Sequence, residues 1–352
     1  MQIIHRKTTK KIAVGKVSIG GDAPVSVQSM WKSPYKGDDD IILKSLNEYR
    51  DIGCDIIRFA VPSLETARGI GSLCGRTGIP IVADIHFDYK IALECLDYPF
   101  AKIRINPGNI GSEWKVREVA GKAADKNIPI RIGVNGGSLP EKFRTMGDVA
   151  DAMVQSAAEE IAVLEKMQFD SIIVSLKSSD IETTVRANRL FAEQFSYPLH
   201  IGITEAGPGI TGIVQNSIGI SRLLRGGIGN TLRVSLSGSV KDEIIAGREI
   251  LCAENMYDRG LRIISCPQCG RSTFDVRGFL ESMGSYLYTV KKNKTIAVMG
   301  CPVNGLEEAR HADLGITGFG NTAVIFKYGK ELRKISMDES RKVFLKELDK
   351  LE

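Results

Sequence analysis

The sequence predicts an α/β protein in which an N-terminal (β/α)8 TIM barrel is followed by a smaller α/β domain. Eight short runs rich in β-branched residues recur between residues 25 and 237. The segments between them are long enough for helices, and this alternation is typical of a closed barrel of parallel strands. No G-x-G-x-x-G motif follows the first run, which argues against an open dinucleotide-binding sheet.

The spacing of apolar residues predicts the individual elements. In residues 39–53, Ile42, Leu46 and Tyr49 fall on one face of a helix. Residues 148–167 show the same helical spacing. The eight predicted strands begin at Val25, Asp55, Ile79, Ala101, Ile128, Ser171, Leu199 and Thr231.

Composition limits the class of protein. The chain has 352 residues, 43% of them hydrophobic and 25% charged, and we predict a barrel domain over residues 1–258 and a second domain over residues 259–352. No apolar run approaches the ~18 residues of a membrane helix and the charged start is unlike a signal peptide, so a cytoplasmic protein is expected. The seven scattered cysteines are expected to be reduced. The net charge of +5 is too mild to favour nucleic acid and fits an anionic small substrate or an acidic protein partner.

The C-terminal ends of the strands, where barrel enzymes carry their chemistry, are unusually polar here. Five cations lie at these ends: Arg58, Arg104, Arg131, Lys177 and Arg233. So many like charges are costly to hold together unless an anion neutralises them, and the guanidinium fork suits phosphate. We therefore predict a phosphorylated or diphosphorylated small molecule as the ligand. Alternatively, individual cations pair with carboxylates inside the barrel or lie on its outside. The same strand ends also carry Asp84, His86, Asn106, Asn135, Ser178, Thr204, Glu205, Ser235 and Ser237.

The second domain has two thiol-bearing loops, each at the end of a predicted strand. "SCPQCG" carries Cys266 and Cys269, and "GCPVNGLEEA" carries Cys301. The three thiols would meet if the two strands are neighbours. The candidates for a fourth ligand beside these three thiols are His311, Glu307 and Glu308.

The final helix of this domain is expected to begin with a capping box from Ser336 to Glu339.

Three thiols allow several chemistries. Three cysteines and a histidine can hold zinc, but zinc ribbons usually have a second tight knuckle, and "GCPVNG" supplies only one thiol. Proline directly after Cys266 and Cys301 is common beside cluster thiolates, so the spacing favours an iron-sulfur cluster. A thioredoxin-type redox pair would leave the third thiol unused. The other cysteines are interpreted as buried structural thiols: Cys54, Cys74, Cys95 and Cys252.

Strings along nearly the whole chain match a known family in order. They are "VQSM", "RFAVPS", "ADIHF", "IRINPGNIG", "RIGVNGGSL", "SLKSSD", "ITEAG", "LRVSLSG", "CPQCGR" and "MGCPVNGLEEARHADLGITG". With these strings the chain resembles the iron-sulfur family of 4-hydroxy-3-methylbut-2-en-1-yl diphosphate synthases. The resemblance implies a ferredoxin-reductase-like second domain with a [4Fe-4S] cluster. It also implies a two-electron reduction of 2-C-methyl-D-erythritol 2,4-cyclodiphosphate that opens the ring and releases water. Flavodoxin or ferredoxin would be the electron donor, and a head-to-tail homodimer would place one chain's cluster over its partner's barrel.

The resemblance also implies roles for individual residues. The cluster ligands fall on Cys266, Cys269, Cys301 and Glu308, and Asn304 lies beside the cluster as a substrate contact. Glu205 is expected to deliver a proton to the leaving hydroxyl, although it could instead be a salt-bridge partner of Arg131 and Lys177. The other implied substrate contacts are Arg58, Arg104, Arg131, Asn135, Lys177, Thr204, Arg233 and Ser235.

Two loops depart from the family pattern. Pro302 and the pair Leu306–Glu307 interrupt the segment after the third cysteine, so Glu307 could compete with Glu308 as the fourth ligand. Residues 31–40 replace the usual Thr and Asn after "VQSM", so the family does not define the shape of the first βα loop. The rival interpretation of the chain is a zinc-stabilised TIM barrel that binds a phosphorylated ligand without redox chemistry.

Overall fold

The computed structural model describes residues 5–86, 88–258 and 260–351, without the side chains of residues 107, 109 and 304. By its internal contacts the chain divides into two compact units, Met1–Met256 and Tyr257–Glu352. Each unit has its own sheet and its own buried core.

The first unit is the predicted parallel barrel. Hydrogen bonds join its eight strands in one sheet, in which the first strand pairs with the second and with the eighth. An isolated parallel bridge between Val174 and Leu199 links the sixth strand to the segment before the seventh, which closes the ring. The prediction of eight barrel strands is therefore confirmed. They are β3 (Ser26–Met30), β4 (Ile56–Ala60), β5 (Ile81–Asp84), β6 (Lys102–Arg104), β7 (Ile130–Asn135), β8 (Ile172–Lys177), β9 (His200–Ile201) and β10 (Thr231–Leu232), after a preceding hairpin of β1 (Ile12–Val14) and β2 (Val17–Ile19).

Helices connect the strands, and side-chain caps start several of them. Ser63 accepts a hydrogen bond from the backbone N–H of Thr66, and Asp148 and Asp180 accept equivalent bonds at their helix starts. The described helices of the barrel are α1 (Asp39–Asp51), α2 (Leu64–Cys74), α3 (Tyr89–Cys95), α4 (Pro107–Ile110), α5 (Glu113–Asp125), a 3-10 turn (Gly136–Ser138), α6 (Glu141–Arg144), α7 (Val149–Glu165), α8 (Ile181–Gln194), α9 (Gly209–Arg225) and α10 (Val240–Ala253).

The hairpin of β1 and β2 was not predicted. Its buried side chains Ile12, Val14 and Ile19 pack in one cluster with the barrel residues Ile56 and Val82. These barrel residues come from the first half of their strands, so the hairpin covers the end of the barrel opposite the polar strand ends. Its short strands lie among lysines, which hid the alternating pattern in the sequence.

The second unit is a five-stranded mixed sheet with helices. Strand order follows chain order, and the first three strands are parallel. Phe279, Ile296, Ile316 and Phe344 are among the residues of its core. Its elements are β11 (Arg262–Ser265), α11 (Val276–Met283), α12 (Tyr286–Thr289), β12 (Thr295–Met299), a π-helical segment (Val303–Glu308), β13 (Leu314–Phe319), β14 (Thr322–Lys327), β15 (Lys330–Ser336) and α13 (Ser340–Asp349).

The predicted capping box of the last helix is wrong. Ser336 is the last residue of β15, an exposed strand that the sequence did not reveal because most of its side chains are charged or polar. Glu339 is itself the residue before the first turn of α13, without a side-chain cap. Ser336 and Glu339 still interact through their side chains, with 3.0 Å between Oγ and Oε2.

Candidate active site and candidate metal centre

The five predicted cations lie inside the barrel, but not all at strand ends. Arg104 and Lys177 end their strands, and Arg233 directly follows β10. Arg58 is the third of the five residues of β4, and Arg131 is the second of the six residues of β7, so the prediction that Arg131 closes its strand is wrong. The side chains of Arg58, Arg104 and Arg233 are only 14–15% exposed. Arg131 is buried, and Lys177 is half-buried. The alternative that they lie on the outside of the barrel is thus excluded for these side chains.

Asp84 at the end of β5 joins two of these cations. Its carboxylate lies 3.5 Å from Nε of Arg58 and 3.4 Å from Nη1 of Arg104. Burial opposes ionisation of Asp84, but the two guanidinium groups outweigh it and lower the pKa of this carboxyl. The alternative that cations pair inside the barrel therefore holds for Arg58 and Arg104.

A second buried carboxylate, Glu243 of α10, was missed by sequence reasoning. It accepts two hydrogen bonds of 3.1 Å from Arg233, one of 2.7 Å from the Ser29 hydroxyl and one of 3.0 Å from the backbone N–H of Leu236. Lys32 lies 2.9 Å from the same carboxylate. Burial would raise the pKa of Glu243, but Arg233 lowers it below its usual value. These two hydrogen bonds fix the orientation of the Arg233 guanidinium group.

The cations outnumber the carboxylates. Among the described residues, Arg131 and Lys177 have no carboxylate within ion-pair distance, and Arg131 instead donates to the Ser175 hydroxyl at 2.5 Å. Burial, together with Arg58 and Arg104, lowers the pKa of Arg131, and burial, together with Arg131 and Arg233, lowers that of Lys177. A region that disfavours its own positive charges in this way is suited to an anionic ligand.

Gly202 makes room for one of these cations. A Cβ at this position would lie 2.3 Å from the carbonyl oxygen of Arg233 and 2.9 Å from Nζ of Lys177. Glycine inside a predicted strand is the signal by which sequence reasoning could have recognised this close approach.

The first βα loop, which departs from the family pattern, packs onto the barrel. Trp31 stacks on Phe59 with 5.5 Å between ring centroids. Lys32 donates to the carbonyl oxygens of Leu236 and Gly238 at 2.7 and 2.6 Å, beside its ion pair with Glu243. The loop thus brings an additional cation to the mouth.

The predicted acid, Glu205, lies just beyond β9. Its backbone is in the left-handed region, with φ of 54°, which is uncommon for a residue other than glycine and often marks functional sites. The side chain is exposed, and no ion pair within the described chain joins it to Arg131 or Lys177. The alternative role as a salt-bridge partner of these cations is therefore not observed. The neighbouring Thr204 donates its backbone N–H to the Ser178 carbonyl at 3.3 Å, and Ser235 is half-buried.

A side cavity of about 290 Å³ opens beside Arg104 and Asn135. It is also lined by Glu160 of α7, whose Oε2 is closed off from solvent and has no hydrogen-bond partner among the described residues. Burial raises the pKa of Glu160 to about 8, with Arg104 opposing and the neighbouring Glu159 adding to the shift. Glu160 is thus a neutral carboxyl at pH 7.

This raised pKa predicts a pH-dependent stability difference for Glu160→Gln. The folded state binds the proton more tightly than the unfolded state, so wild-type stability falls as pH rises from the unfolded pKa through about 8. The side chain of the Gln variant does not titrate. The stability of Glu160→Gln should therefore rise relative to that of wild type by ~4 kcal/mol between about pH 5 and pH 9, measured by thermal unfolding. Glu113→Gln, at an exposed position paired with Arg117, is the control, because Glu113 is not among the groups that shift the pKa of Glu160. Parallel curves for wild type and Glu160→Gln would contradict an elevated pKa.

In the second unit, the three predicted thiols line one cavity. β11 and β12 are parallel neighbours, with Ser265 opposite Val298, so the loops that follow them lie side by side. Cys266, Cys269 and Cys301 surround a space of about 180 Å³. The backbone N–H of Gly300 donates to Sγ of Cys266 at 3.0 Å.

The candidate fourth ligands lie on or after the π-helical segment, an element often found at functional sites. Glu307 and Glu308 both have exposed side chains, and so does His311. The side chain of Asn304 lies outside the described residues. Where side chains are described, no three His, Cys, Asp or Glu groups converge as they would around a single metal ion. The three cysteines instead line a cavity of about 180 Å³, which leaves room for a group larger than a single ion, as an iron-sulfur cofactor is.

Gly300 provides a test of this cavity. A Cβ at Gly300 would lie 1.9 Å from Oγ of Ser272 and 3.3 Å from Sγ of Cys266, whereas a Cβ at Gly270 would meet nothing within 4 Å. Gly300→Ala should therefore reduce the iron content of anaerobically purified protein by about half or more, because the supporting atoms around the thiols tune metal binding. Gly270→Ala should keep the wild-type content. Equal iron in both variants would mean that this loop does not hold the metal.

A parallel barrel with a cationic mouth, followed by a separate unit with three thiols around one cavity, is the architecture of a barrel enzyme with a metal-sulfur centre. The chain belongs to the GcpE family: residues 9–248 match the GcpE TIM-barrel domain and residues 262–350 match the GcpE protein C-terminal domain. This family implies an iron-sulfur cofactor, so the zinc interpretation is not favoured.

Relatives over the full length carry one name, "4-hydroxy-3-methylbut-2-en-1-yl diphosphate synthase (flavodoxin)". The protein of Treponema denticola is 47% identical, covering 96% of both chains. Those of Geobacter sulfurreducens and Thermodesulfovibrio yellowstonii are 44% and 45% identical, covering 97% and 99% of this chain and 98% and 100% of theirs.

Solved structures resemble the barrel fold alone. An N-acetylneuraminic acid synthetase from Leptospira borgpetersenii aligns with a TM-score of 0.51 at 14% identity, over 72% of this chain and 90% of that one. A dihydropteroate synthase from Xanthomonas albilineans aligns with a TM-score of 0.50 at 12% identity, over 70% and 98%. In the part of the chain that the structure describes, no helix has both the length and the apolar character needed to span a bilayer.

Proposed function

We propose that this protein reduces 2-C-methyl-D-erythritol 2,4-cyclodiphosphate by two electrons, opening the ring and releasing water, to give 4-hydroxy-3-methylbut-2-enyl diphosphate in the non-mevalonate isoprenoid route. The observation that carries this proposal is the surplus of positive charge at the barrel mouth, in a chain 44–47% identical over its full length to synthases of that product. Residues 1–258 would bind the substrate and residues 259–352 would hold the cluster.

In this proposal the barrel residues bind the diphosphate by charge and by shape. Arg131 and Lys177, which lack a carboxylate partner among the described residues, interact with it most strongly, because no internal ion pair competes for them. Three further guanidinium groups bind the diphosphate through paired N–H donors. Asp84 fixes the orientation of Arg58 and Arg104, and Glu243 fixes that of Arg233. The remaining polar contacts are assigned to Asn135, Thr204, Ser235 and Asn304.

Glu205 is assigned as the proton donor to the leaving hydroxyl. Its exposed position beyond β9 gives it access both to solvent protons and to a ligand above the strand ends. The uncommon backbone angle fits a residue whose placement is set by function.

Cys266, Cys269 and Cys301 are assigned as three ligands of a [4Fe-4S] cluster, with Glu308 as the fourth. When bound, the cluster supplies electrons and a Lewis-acidic iron for a substrate oxygen. A carboxylate is a harder and more weakly held ligand of this iron than a thiolate, so Glu308 can leave that coordination position open. Thiolate ligands must stay reduced, which fits a cytoplasmic location.

Anaerobic purification followed by assay tests the proposal. Brown protein that contains iron and consumes the cyclic diphosphate with a chemical reductant is the expected result. Colourless protein that contains zinc and binds the ligand without turning it over would favour the rival, a zinc-stabilised phosphate-binding barrel. The relatives' name supports flavodoxin as the electron donor, and ferredoxin is the alternative. A mildly basic chain suits either acidic partner.

We further propose a head-to-tail homodimer in which one chain's cluster serves its partner's barrel. Mixing Glu308→Ala chains with Glu205→Ala chains should then restore activity, because one site of each heterodimer combines an intact barrel with an intact cluster domain. Random exchange in a symmetric dimer predicts about a quarter of wild-type turnover. Each variant alone should be inactive, and Glu307→Ala should stay active as the control for the fourth ligand. A mixture no more active than its components would rule out assembly across chains.

A further inference from the structure

A second group of polar side chains lies in the barrel interior, deeper than the strand-end cations Arg104, Lys177 and Arg233. It consists of Gln28 on β3, Lys102 on β6 and His200 on β9, here called the interior layer. Their exposed fractions are 1%, 0% and 0%. Barrels of this kind usually fill such positions with valine, isoleucine or leucine, so three polar side chains here require a reason.

The interior layer is poorly satisfied by hydrogen bonds. Among the described residues, Nζ of Lys102 donates one hydrogen bond, to Oε1 of Gln28, at the long distance of 3.5 Å. Nε2 of Gln28 and both ring nitrogens of His200 have no partner among the described residues. An ammonium group has three donors to satisfy, so these surroundings suit a neutral amine in the absence of ligand.

The charges around the interior layer also disfavour a further positive charge. Burial lowers the pKa of Lys102 well below its usual value, and Arg131 and Arg58 lower it further. Burial likewise lowers the pKa of His200, together with Lys177 and Arg131. The carboxylates of the mouth, Asp84 and Glu243, are occupied by Arg58, Arg104, Arg233 and Lys32.

We propose that the interior layer takes up a proton when the diphosphate binds at the mouth, which makes Lys102 and His200 further determinants of ligand binding. This inference rests on the proposed function. The two negative charges of a cyclic diphosphate offset part of the positive potential that keeps the layer neutral. Ligand binding and protonation then favour each other, and affinity falls as pH rises.

Calorimetric titration of the full-length, cluster-containing protein with the cyclic diphosphate tests this coupling. Each phosphoryl group of that ligand carries one charge and does not titrate near neutral pH, so protons drawn from the buffer go to the protein. Repeating the titration at about pH 8 in buffers of different ionisation enthalpy should show uptake of ~0.3–1 proton per ligand bound. Binding without any dependence on the buffer would overturn the inference and leave the proposed function standing.

Variants locate the proton. Lys102→Met or His200→Gln should lower the uptake, whereas Lys241→Met, at a surface lysine paired with Glu48, should leave it unchanged. If one interior variant fails to fold, the other variant and the wild-type titration still decide the question. Uptake that persists unchanged in both interior variants would assign the proton to another group, such as Lys177, and overturn the inference. Failure of the cyclic diphosphate to bind at all would instead contradict the proposed function.

Discussion

Replacing Glu243 by glutamine is expected to destabilise the barrel by about 3–5 kcal/mol, the usual cost of breaking a buried ion pair from one side. The carboxylate is 1% exposed and holds both Arg233 and Lys32. Glutamine keeps the size but not the charge, so both cations would remain without their carboxylate. Release of the Arg233 fork should also weaken binding of the cyclic diphosphate about tenfold, because a bidentate contact depends on orientation. Denaturant unfolding and calorimetric titration measure the two effects.

The same substitution has a predictable pH dependence. The pKa of Glu243 is lowered in the folded protein, so the stability that the carboxylate contributes is present above the unfolded pKa and is lost as pH falls through the folded pKa. The deficit of Glu243→Gln should therefore shrink toward acid pH. Glu48→Gln, which breaks a half-exposed pair with Lys241, is the matched control and should cost less than ~1 kcal/mol. A deficit no larger than that of the control would show that Glu243 is not the central counter-charge of the mouth.

Sequence reasoning predicted the barrel and its cations because both depend on local pattern. Strand ends in a closed parallel barrel converge whatever the details of packing, so Arg104 and Lys177 could be placed from the strand pattern alone. Glu243 could not, because it lies in the helix after the last strand, where a glutamate looks like any solvated helix residue. Its role arises because α10 brings Glu243 back to Arg233, ten positions earlier in the chain, and this contact across a loop has no periodic signature in one sequence.

In the second unit the sequence pattern predicted the cysteine ligands, but it did not predict which glutamate lies beside them. Two C-P motifs at strand ends were enough to bring Cys266 and Cys301 together once their strands proved to be neighbours. The choice between Glu307 and Glu308 depends on the path of the π-helical segment, whose extra residue per turn does not follow from helical periodicity. The interior layer was missed for a related reason, since Lys102 in "AKIRIN" looks like a polar residue on an exposed strand face.

Replacing Cys301 by serine is expected to remove the cluster and with it turnover, by at least about a hundredfold, since losing a ligand should cost more than the ~10–100-fold loss of a supporting contact. The thiol is buried at the wall of the cavity, and a hydroxyl is a poor substitute for thiolate on iron. Iron analysis and anaerobic assay measure the loss.

Two comparisons make the Cys301→Ser result specific. Cys74→Ser changes a half-buried thiol of α2 whose Sγ donates to the Ile70 carbonyl at 3.5 Å, a bond that serine can also form, and it should retain full iron content. Binding of the cyclic diphosphate to Cys301→Ser should stay within about twofold of wild type, because the cations that bind it belong to the barrel unit, and twofold is only ~0.4 kcal/mol. Iron retained at the wild-type level in Cys301→Ser would mean that the cluster is held elsewhere. Loss of iron together with loss of ligand affinity would mean instead that substrate binding itself requires the metal centre, and that the barrel cations alone do not bind the diphosphate.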